Sequence, residues 1–170
     1  MAENSKNSDK ATPEAAPDQE TQVVRQLVVH AQYIKDLSFE NPNAPKVLTE
    51  ETGQPDVEIG VNVGASMIGN GQFEVLLNLS AKAKADDTAL FLVDLTYAGI
   101  VSAPDTAEAD LNPLIMIEAP RLLFPFARAI VSDMTRDGGF MPLNIQPVDF
   151  VAVYQHNLAR QQETQAGEAH

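Results

Sequence analysis

The chain has 170 residues, 44 % of them apolar, and its 24 acidic residues outnumber 11 Lys and Arg for a formal charge of −13. That length suits one domain with its own core, and so acidic a surface repels nucleic-acid phosphates and anionic membranes while attracting basic partners. There is no cysteine, which excludes a disulfide framework, a Cys-based zinc site and a thiol nucleophile, and suits a reducing compartment.

The opening residues, MAENSKNSDK, do not lead into an apolar segment of the kind a secretory signal carries. No apolar run approaches the roughly 20 residues needed to span a bilayer. The expected address is the cytoplasm, with no insertion into membrane.

Residues 1–22 are polar and offer little to bury, so they are expected to be disordered. A folded domain is expected over 23–158, and a flexible polar tail over 159–170. A first strand is predicted within Val23–Leu37, where Leu27, Val29, Ala31, Tyr33 and Leu37 share a parity and form a mostly apolar face. His30, Gln32, Asp36 and, if the extension continues, Glu40 take the other parity. Pro42 and Pro45 then forbid regular pairing, and the stretch to Pro55 reads as a crossover loop.

A second strand is predicted over Val57–Val63, followed by a turn at Gly69-Asn70-Gly71. In the third, Phe73–Ala83, the apolar series Phe73, Val75, Leu77, Leu79, Ala81 and Ala83 opposes Glu74, Asn78, Ser80 and Lys82. In the fourth, Leu90–Val101, Phe91, Val93, Leu95 and Tyr97 oppose Leu92, Asp94 and Thr96. One buried and one solvated face imply an α+β fold: a four-stranded antiparallel sheet with helices packed on one face.

Asn112-Pro113 fits an N-cap followed by Pro at the first helical position, and Pro120 is expected to interrupt that helix. A longer helix is predicted from about Arg121 to Arg136, with a stripe of Leu123, Phe126, Ala127, Ile130 and Met134. Further apolar residues outside the stripe imply burial on several sides, hence an oligomer. Asp137-Gly138-Gly139 reads as its stop. An extended segment, Phe140–Pro147, and a last helix, Val148–Arg160, complete the chain.

Enzyme signatures are missing: no phosphate-binding glycine loop, no zinc-protease motif and no nucleophile elbow. His30, His156 and His170 lie far apart in sequence. They read as surface groups rather than metal ligands or catalysts. Asp133 and Asp137 read as a charged helix end. Neither a cofactor nor a metal is expected.

Four segments carry a resemblance to a known family: Tyr33–Pro45 (YIKDLSFENPNAP), Ala98–Val101 (AGIV), Leu123–Arg128 (LFPFAR) and Gly139–Phe150 (GFMPLNIQPVDF). Over about Gln26–Tyr154 the chain resembles SecB, the bacterial protein-export chaperone. The resemblance implies a tetramer, a dimer of dimers in which sheets join across a dimer and helices are sandwiched in the middle. It implies an ATP-independent holdase that keeps unfolded precursors translocation-competent and hands them to the SecA motor.

The family's motor-binding positions match Asp36, Glu40, Leu92 and Asp94, and its assembly-sensitive strand positions match Val93, Leu95 and Tyr97. Candidate groove residues are Phe39, Pro45, Val47, Leu48, Phe124, Phe126, Phe140, Met141 and Leu143. The family's usual crossover-loop tryptophan is missing here. Two other classes stand beside the holdase: an adaptor for a toxin–antitoxin or degradation pathway, which the same groove could serve, and a small-ligand enzyme, for which no pocket-lining set is visible.

Overall fold

A computed structural model describes residues 27–168, with side-chain detail to Glu163. The expected disorder over 1–22 and the start of the expected first strand lie outside the described residues. Four antiparallel strands, β1 (Val28–Glu40), β2 (Asp56–Gly69), β3 (Gln72–Ala85) and β4 (Thr88–Ser102), form one sheet in the order β1-β4-β3-β2. Because β1 and β2 occupy opposite edges, the segment between them must cross the sheet. It contains one helical turn, α1 (Lys46–Thr49), and seats Val47 in the core.

The alternating pattern of β3 and β4 places Val75, Leu77, Leu79, Val93 and Leu95 among the most buried side chains, as period-two patterning requires. The hairpin joining β2 to β3 turns on Asn70 and Gly71, whose φ angles are +52° and +69°. Two successive positive φ values are what a tight two-residue hairpin demands, and Asn-Gly meets that demand at little steric cost.

β1 departs from simple alternation. Its register against β4 shifts between Val29 and Ala31 and again between Ile34 and Asp36. Val29 and Leu37 share the core side as predicted, but Tyr33 pairs with Ala98 and Ala31 with Ile100, on the opposite face. The prediction for those two residues is corrected: each bulge inserts one extra residue and inverts the parity beyond it.

The helical layer also differs. α2 (Glu108–Pro113), a π-helical turn (Leu114–Glu118) and α3 (Ala119–Asp137) follow without a break. Asn112 is therefore no N-cap, and Pro120 does not interrupt the run. In the wider turn the Ala119 N–H reaches back to the Leu114 carbonyl, which eases the clash a proline ring makes with the preceding turn. α3 lies across β4 and β3. Leu123 and Val131 are almost fully enclosed, each contributing about 1.5–3 kcal/mol by burial.

α3 stops where predicted. The Phe140 N–H bonds the Thr135 carbonyl and the Gly139 N–H bonds the Arg136 carbonyl, both at 3.0 Å, with Gly139 at φ +90°. This paired arrangement closes the helix end through a left-handed glycine.

The last helix, α4 (Phe150–Glu168), begins after Asp149, whose Oδ1 accepts from the amides of Val151 and Ala152 at 3.0 and 3.2 Å. That cap fixes its start two residues after the predicted Val148. Its run to Glu168 replaces the flexible tail expected from 159. The Gln-, Glu- and Ala-rich sequence there lacks apolar residues to bury but has good helix propensity, so it extends a helix already nucleated.

Candidate functional site: two faces of one sheet

The four expected motor-binding residues share the outer face of the sheet, away from the helices. Asp36 pairs with Thr96, Ser38 with Asp94 and Glu40 with Leu92 across the β1–β4 ladder. Asp36, Glu40 and Asp94 are exposed, and Leu92 is half-buried between strands. Glu40 and Asp94 thus flank Leu92, Asp36 lies one row beyond Asp94, and the exposed Lys82 is the β3 partner of Leu92. Beside them a shallow depression of about 330 Å³ is lined by Gly60, Asn78, Ser80, Asp94 and Thr96, and the Thr96 hydroxyl donates to Asn78 Oδ1 at 2.8 Å.

Further along this face lies a cluster that sequence reasoning missed. Lys35 Nζ donates to both Glu74 carboxylate oxygens at 2.8 Å, and the Tyr33 hydroxyl also donates to Glu74. The Lys35 bond chiefly, with the Tyr33 bond, holds the Glu74 carboxyl below its ordinary pKa, against the opposing effect of burial. Donation to that carboxylate, with smaller help from burial, raises the Tyr33 phenol. Only the β1 bulge brings Tyr33 to this face, so residue-by-residue parity could not have found the cluster.

The groove candidates divide. Phe39 and Phe140 pack at one end of the sheet against Phe91, which was expected on the core face and not named for the groove. Its ring centroid lies 6.1 Å from Phe39 and 5.0 Å from Phe140. Leu48 is nearly half exposed and approaches Gly139. Val47 is buried in the core, and Pro45 and Met141 stand in solvent, Met141 at 89 % exposure. Leu143 is half-buried, its amide donating to Thr135 Oγ1 at 2.9 Å. Phe124 does not join them: it packs edge-on against Phe150 at 5.8 Å within the core and offers a groove almost nothing.

A recess of about 760 Å³ with a mixed polar and apolar lining opens between β2, the α2 and π-helical segment, and α4. Val63, Met67, Phe73, Met116, Tyr154 and Leu158 are among its lining residues. α4 is tied there by long hydrogen bonds: Asn157 Nδ2 to Asn62 Oδ1 and to the Val63 carbonyl, both at 3.4 Å, and Asn112 Nδ2 to the Tyr154 hydroxyl at 3.3 Å. The one-turn spacing of Tyr154 and Leu158 was the available sequence signal. Their facing partners on β2 could be known only from the fold.

The assembly candidates Val93, Leu95 and Tyr97 are buried within the subunit. Tyr97 stacks on Phe126 with centroids 6.5 Å apart, and its ladder partner is Ile34. Phe126, the remaining groove candidate, is 52 % exposed, and Leu122 and Ile34 are nearly half exposed. An uncovered apolar patch therefore lies beside Tyr97, while Leu95 and Val93 pair with Leu37 and Phe39 further along the ladder. Among the described residues no helix is long and apolar enough to cross a membrane, and no group of three or more His, Cys, Asp or Glu could hold a metal ion.

Comparison with known proteins gives one consistent result. The family model described as preprotein translocase subunit SecB matches residues 18–161. The protein-export protein SecB of Afipia carboxidovorans is 51 % identical over 154 residues, 91 % of this chain and 96 % of the relative. The protein of the same name from Bradyrhizobium diazoefficiens is 47 % identical over 165 residues, 96 % of this chain and 99 % of the relative. Among solved structures, a Mycobacterium tuberculosis SecB-like chaperone in complex with an antitoxin peptide shares the fold. Its TM-score is 0.55 at 19 % identity, covering 73 % of this chain and 91 % of that one. With the sheet, its two chemically distinct faces and near-full-length relatives in agreement, the chain belongs to the SecB family of protein-export chaperones.

Proposed function

We propose that this chain is an ATP-independent holdase of the cytoplasm. It binds unfolded precursors on its helical side, keeps them fit for translocation, and delivers them to the SecA motor through Asp36, Glu40, Leu92 and Asp94. It catalyses nothing itself. The observation that carries this reading is the separation of exposed apolar side chains and acidic surface onto opposite faces of one sheet, so that client and motor can be held together. Apolar recesses beside a sheet edge accept varied sequences, through side-chain burial and backbone pairing at the edge. Three exposed carboxylates steer a basic partner, and Leu92 supplies an apolar contact between them.

The functional unit is a tetramer, a dimer of dimers. The patch of Ile34, Leu122 and Phe126 is apolar surface that a second copy would cover. The buried Tyr97 then acts beneath it, by holding Phe126 in place, while Val93 and Leu95 act through the subunit core. An adaptor role in another pathway would use the same grooves. The high identity to relatives named for protein export weighs for export.

The test is Asp36→Ala combined with Asp94→Ala, measured by calorimetry against SecA and against a chemically unfolded precursor. Loss of two exposed charge contacts should lower SecA affinity about five- to tenfold at low salt. Precursor affinity should be unchanged. Undiminished SecA binding would place the docking site elsewhere. Parallel loss of precursor binding would refute the separation of faces.

A further inference from the structure

Lys35 poses a problem for the outer face. It is the only cation immediately beside Asp36 in sequence, and it occupies the second β1 bulge, between Ile34 and Asp36. A bulged residue has no ladder partner, so the pleat does not by itself fix where its side chain points. A free ammonium there could swing to Asp36 and neutralise a docking carboxylate from within. The structure places it elsewhere, in two 2.8 Å bonds to Glu74.

Glu74 lies in the row of Ile100 and Ala31, whereas Asp36 lies in the row of Thr96 and Asn78. Four residues along β3 separate the rows, about 13 Å at strand rise. Glu74 is in turn aimed by the hydroxyl of Tyr33. Meanwhile Asp36, Glu40 and Asp94 make no ion pair with any described residue.

We infer that Glu74, oriented by Tyr33, is a positioning residue that sequesters the Lys35 ammonium, keeping Asp36 uncompensated for the cations of a basic docking partner; Glu40 and Asp94 lie instead beside Lys82, the ladder partner of Leu92. The inference rests on the docking role given to the outer face above. Glu74 need not touch the partner: its effect passes through Lys35.

A double-mutant cycle with Glu74→Gln, Lys35→Met and the double variant tests this, with calorimetry against SecA at low salt. Glu74→Gln should weaken SecA binding about three- to fivefold, the scale of an exposed ion pair, with precursor affinity and thermal stability little changed. The same substitution made on the Lys35→Met background should cost nothing, because the competing cation is gone. Equal losses on both backgrounds would mean that Glu74 acts through its own charge or through the fold, and would overturn the inference. So would an unchanged affinity in Glu74→Gln alone. Asp36→Ala with Asp94→Ala is run beside the cycle. If that pair leaves SecA binding intact, the docking reading itself falls and the inference falls with it. If that pair weakens binding while Glu74→Gln does not, only the sequestration of Lys35 is refuted.

Discussion

Gly138 is a strict steric test of the aromatic end of the proposed client side. It is the C-cap of α3, with φ −73°, a conformation every residue adopts, so backbone freedom does not explain a glycine there. Space does. A Cβ at Gly138 would collide with the Phe39 ring, and would also lie 3.1 Å from the Met134 carbonyl oxygen. Phe39 cannot retreat freely, because its other neighbour is the Phe91 ring, itself packed on Phe140.

Gly138→Ala therefore opposes two effects. Reduced freedom of the unfolded chain would favour alanine by about 0.4–1 kcal/mol. Overpacking costs about 1–3 kcal/mol, and a displaced ring forfeits part of an aromatic contact worth about 0.5–1.5 kcal/mol. The net expectation is a loss of about 2 kcal/mol, or a Tm lower by roughly 4–8 °C for a chain this long. Thermal and urea denaturation measure the loss, and suppression of precursor aggregation measures the groove. Phe39→Leu on the Gly138→Ala background should recover part of the stability by vacating the space. A Gly138→Ala variant as stable as the parent, or more so, would refute the packing argument. So would an equal loss whether or not Phe39 is shortened.

Thr135 is fully buried and its hydroxyl receives the Leu143 amide at 2.9 Å, so Thr135→Val strands that donor and should cost about 1–3 kcal/mol. Faster amide exchange at Leu143 would accompany the loss, and unchanged protection there would count against it. Phe126→Glu, at a half-exposed position beside Tyr97, should leave the subunit folded but lower the assembled mass by light scattering, since a charge is costly to bury in a contact. A tetramer of unaltered mass would show that another surface joins the subunits.

Legibility in the sequence followed the regularity of the backbone. β3 and β4 were readable because both are central strands with a helix-covered face, and burial enforces alternation at Val75, Leu77, Leu79, Val93 and Leu95. The glycine stop was readable because the left-handed closure at Gly139 favours that residue. β1 was not, because a bulge adds a residue without leaving a residue-type signature, and Tyr33 therefore went to the wrong face. Pro113 and Pro120 misled for a related reason: the rule that proline ends a helix assumes a regular α-turn, and a π-helical turn between them relaxes it. The outer-face placement of Asp36, Glu40, Leu92 and Asp94 survived because all four lie beyond the second bulge or on β4. The candidates for the proposed client grooves were only partly legible. Phe124 and Phe126 are two residues apart on α3, and on a helix that spacing sends one inward and the other outward.

The two bulges of β1 also tie the fold to the proposed division of labour. Without them Ile34 would share the face of Asp36, placing an exposed branched apolar side chain beside the carboxylates. Tyr33 would point toward the helices, where it could not reach Glu74. With them, Ile34 joins Tyr97 on the helical side, beside the apolar patch of Phe126, and Tyr33 moves out to Glu74. Because the inversions occur in pairs, Val29 and Leu37 still reach the core on either side of the altered stretch. A single edge strand thus gives apolar surface to one face and charge to the other, over a few consecutive residues. Strict alternation could not do this with the sequence at hand: Tyr33, Ile34, Lys35 and Asp36 fall in an order that segregates by chemistry only if one of them is left out of the ladder. Lys35 is the residue left out, and Glu74 gives its charge a partner away from the acidic row.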